Sequence, residues 1–278
     1  MANISAADVK RLREATGAGM MDCKKALTEA DGDFDAAVEA LRLKGVKDAG
    51  KRAARTAGNG LVLSELNGNS EGVLVEINCE TDFVAKNAQF QEVAEQVTKA
   101  ALASKAGDRL ALLAADAGNG KTVEKVIEDA SASIKEKIEL GRYARYEGGY
   151  VTTYLHRSDP DLPPTLGVLL QLDSESADIA KDLGQQIAAM RPQYLTRDEV
   201  PADVVEKERR IAEELTRSEG KPEKAVPKIV EGRLGAFFKE IVLTEQAFVK
   251  EPKKTVAQQL QAAGVEAKGF SRFQVGQA

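Results

Sequence analysis

The stretch GVLVEINCETDFVAKN, residues 72–87, joins a strand pattern to a helix pattern through an acidic turn. Residues 72–79 alternate apolar and polar side chains like a half-buried strand, and the apolar residues of 88–104 recur with the period of a helix. A tight turn between a strand and a helix favours Gly, Asn or Ser. This turn instead carries Asp82 and the aromatic Phe83, which a simple connection does not need for folding.

The order strand, strand, helix occurs twice along the chain. The first copy is predicted at 61–66, 73–79 and 88–104, and the second at 150–157, 166–172 and 177–190. The second copy passes from its strand to its helix through DSESAD, which is ordinary helix-capping sequence. The repetition predicts an α+β fold with a bipartite core built from an internal strand-strand-helix repeat. The predicted core is completed by helices over 122–138 and 255–263 and by a last strand over 267–275.

The first 45 residues predict three short helices that form a small N-terminal domain. The first begins after the capping residue Ser5 and ends at Gly17, and the second covers 20–30. The third ends at Gly45. The following residues, VKDAGKRAARTAG at 46–58, predict a basic linker that is flexible or loosely helical.

Residues 201–235 are heavily charged and carry two helical patterns. Val204, Ile211 and Leu215 lie near heptad spacing, and Gly220-Lys221-Pro222 supplies a helix end followed by a helix start. Because so many charged faces cannot be buried, the segment predicts an antiparallel helical hairpin that projects from the core. The predicted organisation is a three-helix domain at 1–45, a linker at 46–58, the first half of the core at 59–149, the second half at 150–200 and 236–278, and the inserted hairpin at 201–235.

Composition places the chain among globular proteins with an ordinary core. Apolar residues make up 43% and charged residues 30% of the 278 residues. The net charge of −5 argues against a main role in binding nucleic acid. Two cysteines do not make a disulfide framework, and the sequence predicts neither a signal peptide nor a membrane span. We therefore expect a cytoplasmic protein that binds neither nucleic acid directly nor a membrane.

The sequence contains no recognisable catalytic constellation. His156 is the single histidine, which excludes a metal site built on two histidines. A lone histidine in a strand is more often structural than a base. Cys23 and Cys79 lack the spacing of a metal-ligand motif. We predict a protein that is not an enzyme and that holds no cofactor and no metal.

Two alternative functions rest on short matches. Gly120-Lys121-Thr122 matches the end of a phosphate-binding loop, which supports a small nucleotide-dependent enzyme. The full pattern needs a glycine where Ala115 stands, and it needs a preceding strand that the sequence does not predict. An RNA-binding module is the other alternative, and it rests on four basic residues that a solvated linker explains more simply: Lys47, Lys51, Arg52 and Arg55.

Four residues have ordinary structural alternatives to a role in binding. Met20 and Met21 are adjacent in a predicted helix, so they cannot both face inward, and we expect one of them to be exposed. Exposed methionine is typical of adaptable binding surfaces. The structural alternative for Asp82 is helix capping, and for Phe83 it is packing beneath the loop.

Longer stretches of the sequence resemble the bacterial elongation factor Ts family. RLREATGAGMMDCKKAL at 11–27 and NCETDFVAKN at 78–87 are similar to its two signatures. KIVEGRL at 228–234 and FQVGQA at 273–278 are similar to it too, so the resemblance covers essentially the whole chain in order. The sequence departs from many members in ending at Ala278 rather than with a further helix, and its loop at 157–165 is longer than in some members.

The resemblance implies a nucleotide-exchange factor for elongation factor Tu that binds the GDP-bound and nucleotide-free partner. It also implies a ubiquitin-associated-like three-helix N-terminal domain, a bipartite core and an inserted helical hairpin. The partner's Mg²⁺ is then dislodged by four residues: Thr81, Asp82, Phe83 and Val84. The N-terminal signature is implied to dock on the partner's GTPase domain through Arg13, Met20, Met21 and Lys24. His156 is implied to face the partner's other domains.

Overall fold

The structure is a computed structural model that describes residues 4–16, 18–118, 120–157 and 162–277, with the side chains of 46–51 and 53 outside that description. Its helices are α1 (Ala6–Thr16), α2 (Met20–Glu29), α3 (Phe34–Ala53), α4 (Asp82–Ala85), α5 (Ala88–Ser104), α6 (Arg109–Ala114), α7 (Val123–Ile134), α8 (Ala177–Met190), α9 (Ala202–Ser218), α10 (Val226–Ile241) and α11 (Val256–Ala263). Its strands are β1 (Asn59–Asn67), β2 (Glu71–Cys79), β3 (Glu139–Glu147), β4 (Tyr150–His156), β5 (Leu166–Leu172), β6 (Ala247–Phe248), β7 (Glu251–Thr255) and β8 (Ala267–Gln274).

Two three-stranded antiparallel sheets form the centre of the fold. Their strand orders are β1-β2-β3 and β4-β5-β8, and β6 pairs with β7 in a separate short hairpin. β3 pairs with β2 in the same way that β8 pairs with β5. Each half of the core therefore adds a third strand to the predicted strand-strand-helix unit. The combination of helices and antiparallel sheets confirms the α+β class.

Each sheet has one face covered by helices. α5 and α7 pack on the first sheet around Phe90, and α8 and α11 pack on the second around Leu183. The other faces of the two sheets meet across a shared cluster of buried residues, namely Val62, Leu74, Val151, Leu169 and Phe273. The layers therefore run helix, sheet, sheet, helix.

β2 is more deeply buried than its sequence pattern indicated. We expected a half-buried strand, whereas every residue of Glu71–Cys79 is buried. Val73 belongs to the cluster beneath the helices, and Leu74 belongs to the cluster between the sheets. The polar Glu76 is paired with Arg142 of β3. Successive side chains of β2 thus point to two different faces, and both faces are buried because β2 is the central strand of a sheet that is covered on both sides.

β3, Glu139–Glu147, lies where the sequence predicts no strand. Its arginines interrupt the apolar alternation that normally marks a strand. Arg142 Nε lies 2.6 Å from Glu76 Oε2, and Arg145 Nη2 lies 2.7 Å from Glu71 Oε1. In this strand, ion pairs with the neighbouring β2 take the place of some apolar contacts.

The three N-terminal helices share one apolar cluster. The third does not end at Gly45 as expected, because α3 continues to Ala53. A glycine inside a helix costs only about 1 kcal/mol, so it does not by itself end one. Only residues 54–58 of the predicted linker remain as a connection to β1. The predicted end of the first helix at Gly17 lies outside the described residues, and α1 ends at Thr16.

α9 and α10 lie side by side and run in opposite directions. Arg217 pairs with Glu223 near the connecting turn, and Arg209 pairs with Glu231 farther from it. The two helices share an apolar cluster of their own, separate from those of the sheets.

The helix before β3 ends earlier than its pattern indicated. We expected a helix over 122–138, whereas α7 ends at Ile134. Lys135 adopts a left-handed conformation with φ of 69°, which terminates a helix. The residues that follow, Glu136 and Lys137, contact the acidic turn after β2 instead of extending the helix.

Candidate functional site

The acidic turn after β2 folds into the single helical turn α4. Thr81 caps this turn, since its Oγ1 accepts a hydrogen bond from Val84 N at 3.3 Å. Phe83 is 79% exposed and projects outward from the turn. Asp82 is exposed beside it, with its Oδ2 3.1 Å from Lys86 Nζ. The turn therefore presents an aromatic ring and a carboxylate on the surface.

These positions exclude helix capping as the role of Asp82 and packing beneath the loop as the role of Phe83. The cap of α4 is Thr81 and not Asp82. Phe83 does not pack beneath the loop, because Val84 and Ala85 are the residues of this turn that contact the core. A buried phenylalanine gains about 1.5–3 kcal/mol relative to an exposed one. Folding of this chain alone therefore does not explain the position of Phe83.

Glu136 holds the start of α4. Its Oε1 accepts a hydrogen bond from Thr81 Oγ1 at 2.7 Å, and its Oε2 accepts one from Thr81 N at 3.1 Å. Both oxygens of one carboxylate thus fix a single residue, which restricts the orientation of the turn. Sequence reasoning did not single out Glu136, because a glutamate in a charged run carries no local signal of a contact 55 residues away.

Glu80 holds the same turn from the other side. Its carboxylate accepts hydrogen bonds from Lys137 N and from Arg55 Nη1, the latter at 3.2 Å. Desolvation raises the pKa of Glu80, but these hydrogen bonds outweigh it, so the pKa lies below its ordinary value. Asn59 Nδ2 also donates to the Glu80 backbone oxygen at 2.8 Å. The two residues before Asp82 are therefore fixed by contacts with three other segments of the chain.

Cys79 stabilises the turn and is not a reactive thiol. Its side chain is buried, and its Sγ donates to Thr81 O at 3.2 Å. Burial raises the pKa of the Cys79 thiol to about 12. The thiol therefore stays protonated at neutral pH and is a poor nucleophile.

The N-terminal signature exposes both of its methionines. Met20 is 57% exposed and Met21 is 74% exposed, which agrees with the expectation that the two cannot both face inward. Cys23 occupies the inward position of this helix instead. Arg13 on α1 and Lys24 on α2 are exposed as well. All four predicted docking residues are thus available to a partner.

An ion pair links the N-terminal helices to the core. Lys135 Nζ lies 2.8 Å from Asp22 Oδ2 in the first turn of α2. Lys44 Nζ, from α3, lies 2.7 Å from the other oxygen of the same carboxylate. The hydrogen bonds from Lys135 and Lys44 lower the pKa of Asp22 to about 2. Because Lys135 directly precedes Glu136, one turn contacts both signatures.

His156 lies in the other sheet. It is the last residue of β4, is exposed, and has its Nδ1 3.1 Å from Tyr154 Oη on the same strand. The structure therefore groups the predicted residues of α2 and α4 around the turn after α7, with His156 outside that group.

Comparison with known proteins identifies the family. Residues 80–277 match the sequence model of the family described as Elongation factor TS. The chain is 61% identical over 278 residues to elongation factor Ts of Thermobifida fusca, with 100% of both chains covered. It is 58% identical over 278 residues to that of Mycobacterium tuberculosis, again with 100% of both covered. It is 55% identical over 277 residues to that of Streptomyces coelicolor, covering 99% of this chain and 100% of the relative.

The chain belongs to the elongation factor Ts family. Elongation factor Ts is a nucleotide-exchange factor for elongation factor Tu in translation elongation, and it is not a catalytic enzyme. Family membership thus confirms the predicted class of function and the predicted partner protein.

The residues behind the nucleotide-binding alternative serve the fold. Thr122 caps α7, since its Oγ1 accepts a hydrogen bond from Lys125 N at 3.2 Å. Lys121 Nζ lies 2.7 Å from Asp129 Oδ2, so its charge is already paired. The regular element before this segment is the helix α6 and not a strand. The phosphate-loop resemblance is therefore accidental.

The basic residues behind the RNA-binding alternative are partly engaged within the molecule. Arg52 is buried and Arg55 pairs with Glu80. The side chains of Lys47 and Lys51 lie outside the described residues. Within the described part of the chain, no group of three or more His, Cys, Asp or Glu residues could hold a metal ion. No helix in that part is long and apolar enough to cross a bilayer.

Proposed function

We propose that this chain releases GDP from elongation factor Tu by placing Phe83 as a wedge beside the partner's Mg²⁺ site. The observation that carries the proposal is a phenylalanine, 79% exposed, on a turn held by Glu80 and Glu136. An aromatic side chain left in water gains burial free energy when a partner covers it. Because the turn is already fixed, little conformational freedom is lost on binding.

Disturbing the metal is an effective way to weaken nucleotide binding. A GTPase holds its nucleotide through backbone amides around the phosphates and through Mg²⁺. Mg²⁺ requires near-ideal octahedral geometry, so a small displacement of its surroundings weakens it. An aromatic wedge between partner elements shifts them between discrete packed arrangements. The exchange factor therefore does not need to touch the nucleotide.

Of the residues around Phe83, one acts on the partner directly and two fix the position of the turn. Asp82 is exposed and charged, so it acts on the metal shell by hydrogen bonding or repulsion. Val84 packs partly against the core and Thr81 is bound to Glu136, so these two set the position of the turn. Both pairs contribute to dislodging Mg²⁺, the first directly and the second through the geometry of α4.

The N-terminal helices provide docking, as a ubiquitin-associated-like domain. Met20 and Met21 supply adaptable apolar contacts, and Arg13 and Lys24 supply charged ones that steer association with the GTPase domain. His156, in the second half of the core, faces the partner's other domains. The hairpin of α9 and α10 projects away from the sheets.

The chain binds the GDP-bound and the nucleotide-free partner with different strength. Coupling between two ligands is reciprocal, so if this chain weakens GDP binding by some factor, GDP weakens the binding of this chain by the same factor. The nucleotide-free complex is therefore the tighter one. The exchange takes place in the cytoplasm and involves no direct contact between this chain and nucleic acid.

Release of a fluorescent GDP from elongation factor Tu, with and without this chain, tests the proposal. We expect substoichiometric amounts of the chain to speed release. The acceleration should shrink once EDTA has removed Mg²⁺, because no metal is left to disturb. If the chain accelerates GDP release equally without Mg²⁺, the proposed metal mechanism is wrong, but the exchange function still stands. No acceleration at all contradicts the function, and binding of labelled nucleotide or RNA by the chain itself then favours one of the two alternatives.

A further inference from the structure

The turn after α7, residues 135–137, touches both surfaces that the proposed function uses. Lys135 Nζ reaches Asp22 of α2 at 2.8 Å, and Glu136 Oε1 reaches Thr81 Oγ1 at 2.7 Å. Two adjacent residues therefore join the docking helix to the turn that bears Phe83. The covalent route between the same two surfaces runs instead through α3, β1 and β2.

We propose that Lys135 and Glu136 are positioning residues that hold α2 and α4 in a fixed relative orientation. Docking of the N-terminal helices on the partner then places Phe83 in the orientation that promotes release. This inference rests on the proposed function, because it concerns how binding is converted into release. Without these two contacts, the N-terminal helices would be held to the core by the packing of α3 on α7 and by the pair between Arg55 and Glu80. The orientation of Phe83 relative to the docked helices would then be less closely fixed, and a less closely fixed geometry lowers the rate of a step that depends on it.

The local structure supports this role. Lys135 has φ of 69°, a region that non-glycine residues seldom adopt. That conformation ends α7 and leaves Glu136 free to bind Thr81. At the other contact, a Cβ added to Gly19 would lie 3.0 Å from Lys135 Nζ. The glycine at the start of α2 therefore leaves room for the ammonium group beside Asp22.

Lys44 provides a matched control for Lys135. Both ammonium groups bind the carboxylate of Asp22, at 2.7 and 2.8 Å. Lys44 belongs to α3, so its bond lies within the three-helix unit, whereas the bond from Lys135 crosses to the core. The packing of α3 on α7 and the pair between Arg55 and Glu80 are present in both variants.

The test is steady-state exchange of fluorescent GDP on elongation factor Tu. We expect Lys135→Met to lower kcat about fivefold, the largest effect an exposed ion pair normally has, with KM unchanged because the docking residues are intact. Lys44→Met should keep wild-type kcat and KM. Asp22→Asn should match Lys135→Met, and the double variant should lose no more than either single one, because both changes remove the same contact.

Lys135→Gly guards against a folding artefact. Glycine adopts positive φ readily, so this variant removes the side chain without weakening the end of α7. The same loss of kcat is expected, with a melting temperature no lower than that of the wild type. The proposal is overturned if Lys135→Met behaves like Lys44→Met, if the effects of Asp22→Asn and Lys135→Met multiply, or if the change is confined to KM.

NMR relaxation of the chain alone separates this inference from the proposed function. We expect the amides of α1 and α2 to gain motion relative to those of β1 to β3 in Lys135→Met, and not in Lys44→Met. Unchanged relaxation in Lys135→Met overturns the positioning role even if the wild-type chain accelerates GDP release. A wild-type chain that fails to accelerate release overturns the exchange mechanism, and the relaxation change then still establishes the mechanical link.

Discussion

At the scale of single residues, Phe83 and Phe90 show how the surroundings decide the role of one side chain. Phe90 of α5 is completely buried, whereas Phe83 is among the most exposed large apolar residues described. The sequence left Phe83 open between a binding role and packing beneath the loop. A single turn of helix has no periodicity that a pattern could reveal. The exposure follows from the contacts of Val84 and Ala85 with the core.

Replacing each of these phenylalanines with alanine should give very different stabilities. Phe83→Ala should change the free energy of unfolding by less than about 0.5 kcal/mol, as for most surface positions. Phe90→Ala should lower it by about 3–5 kcal/mol, because it leaves a cavity in the core. Urea denaturation of both variants measures the difference. A loss above about 2 kcal/mol in Phe83→Ala would mean that the ring is packed within the fold.

Asp22 should make stability depend on pH in the acid range. Hydrogen bonds from Lys135 and Lys44 hold its folded pKa at about 2, below the ordinary 3.8. A lowered pKa stabilises the folded state above the unfolded pKa, and the contribution is lost as the pH falls through the folded pKa. The stability difference between the wild type and Asp22→Asn should therefore be constant near neutral pH and shrink from about pH 4 towards pH 2. Urea denaturation at several pH values checks this, and a difference that grows on acidification contradicts it.

At the scale of elements, the segments with local signals were predicted closely. α5 and α8 occupy the expected 88–104 and 177–190, because the apolar face of each helix is encoded within its own sequence. The end of α3 could not be read from Gly45, since one glycine is a weak interruption. β3 was missed because its arginines are explained only by acids on β2, far away in the sequence.

As with the helices and strands, the parts of the candidate site that have a local sequence signal could be predicted, and the parts that depend on distant contacts could not. The two signatures contain the exposed residues Met20, Met21 and Phe83. The residues that support them, Lys135 and Glu136, lie in an ordinary run of charges between α7 and β3. Their partners are identified by the folded chain alone, because no local pattern encodes contacts over 55 or 113 residues.

The outer part of the α9–α10 hairpin should be dispensable for the stability of the sheets. It has its own apolar cluster, and Val200, Phe238 and Ile241 close that cluster near the ends of the hairpin. Replacing residues 208–232 with a short Gly/Ser linker retains these three residues. Calorimetry should show a melting temperature within about 2 °C of the wild type, and a fall of more than about 5 °C would mean that the removed part packs against the sheets.

At the scale of the whole molecule, the two sheets are joined by apolar packing and by Arg142. Its Nε lies 2.6 Å from Glu76 Oε2 on the first sheet, and its Nη2 lies 2.7 Å from Gln274 O on the second. Its guanidinium also lies 4.9 Å from the centre of the Phe273 ring. One side chain thus connects a buried carboxylate of one half to the last strand of the other.

Removing the Arg142 side chain should therefore weaken the contact between the two sheets. Arg142→Ala should lower the free energy of unfolding by roughly 1.5–3 kcal/mol, because the buried Glu76 loses a charged hydrogen-bond donor. Adding Glu76→Gln should recover part of the loss, since no buried charge then remains unpaired. Lys125→Ala, on an exposed face of α7, is the control and should change stability by less than about 0.5 kcal/mol. Equal or greater loss in the double variant would contradict this account.

The wedge itself is tested most directly by GDP release from elongation factor Tu with the Phe83→Ala variant. Leu110→Ala is the matched control, because Leu110 is also an exposed apolar residue, 72% exposed, and lies on α6. We predict that Phe83→Ala melts normally, still binds the partner through its N-terminal helices, and releases GDP at least about tenfold more slowly, a loss of about 1.4 kcal/mol. Leu110→Ala should exchange at the wild-type rate. A Phe83→Ala protein that binds, melts and exchanges like the wild type would contradict the mechanism.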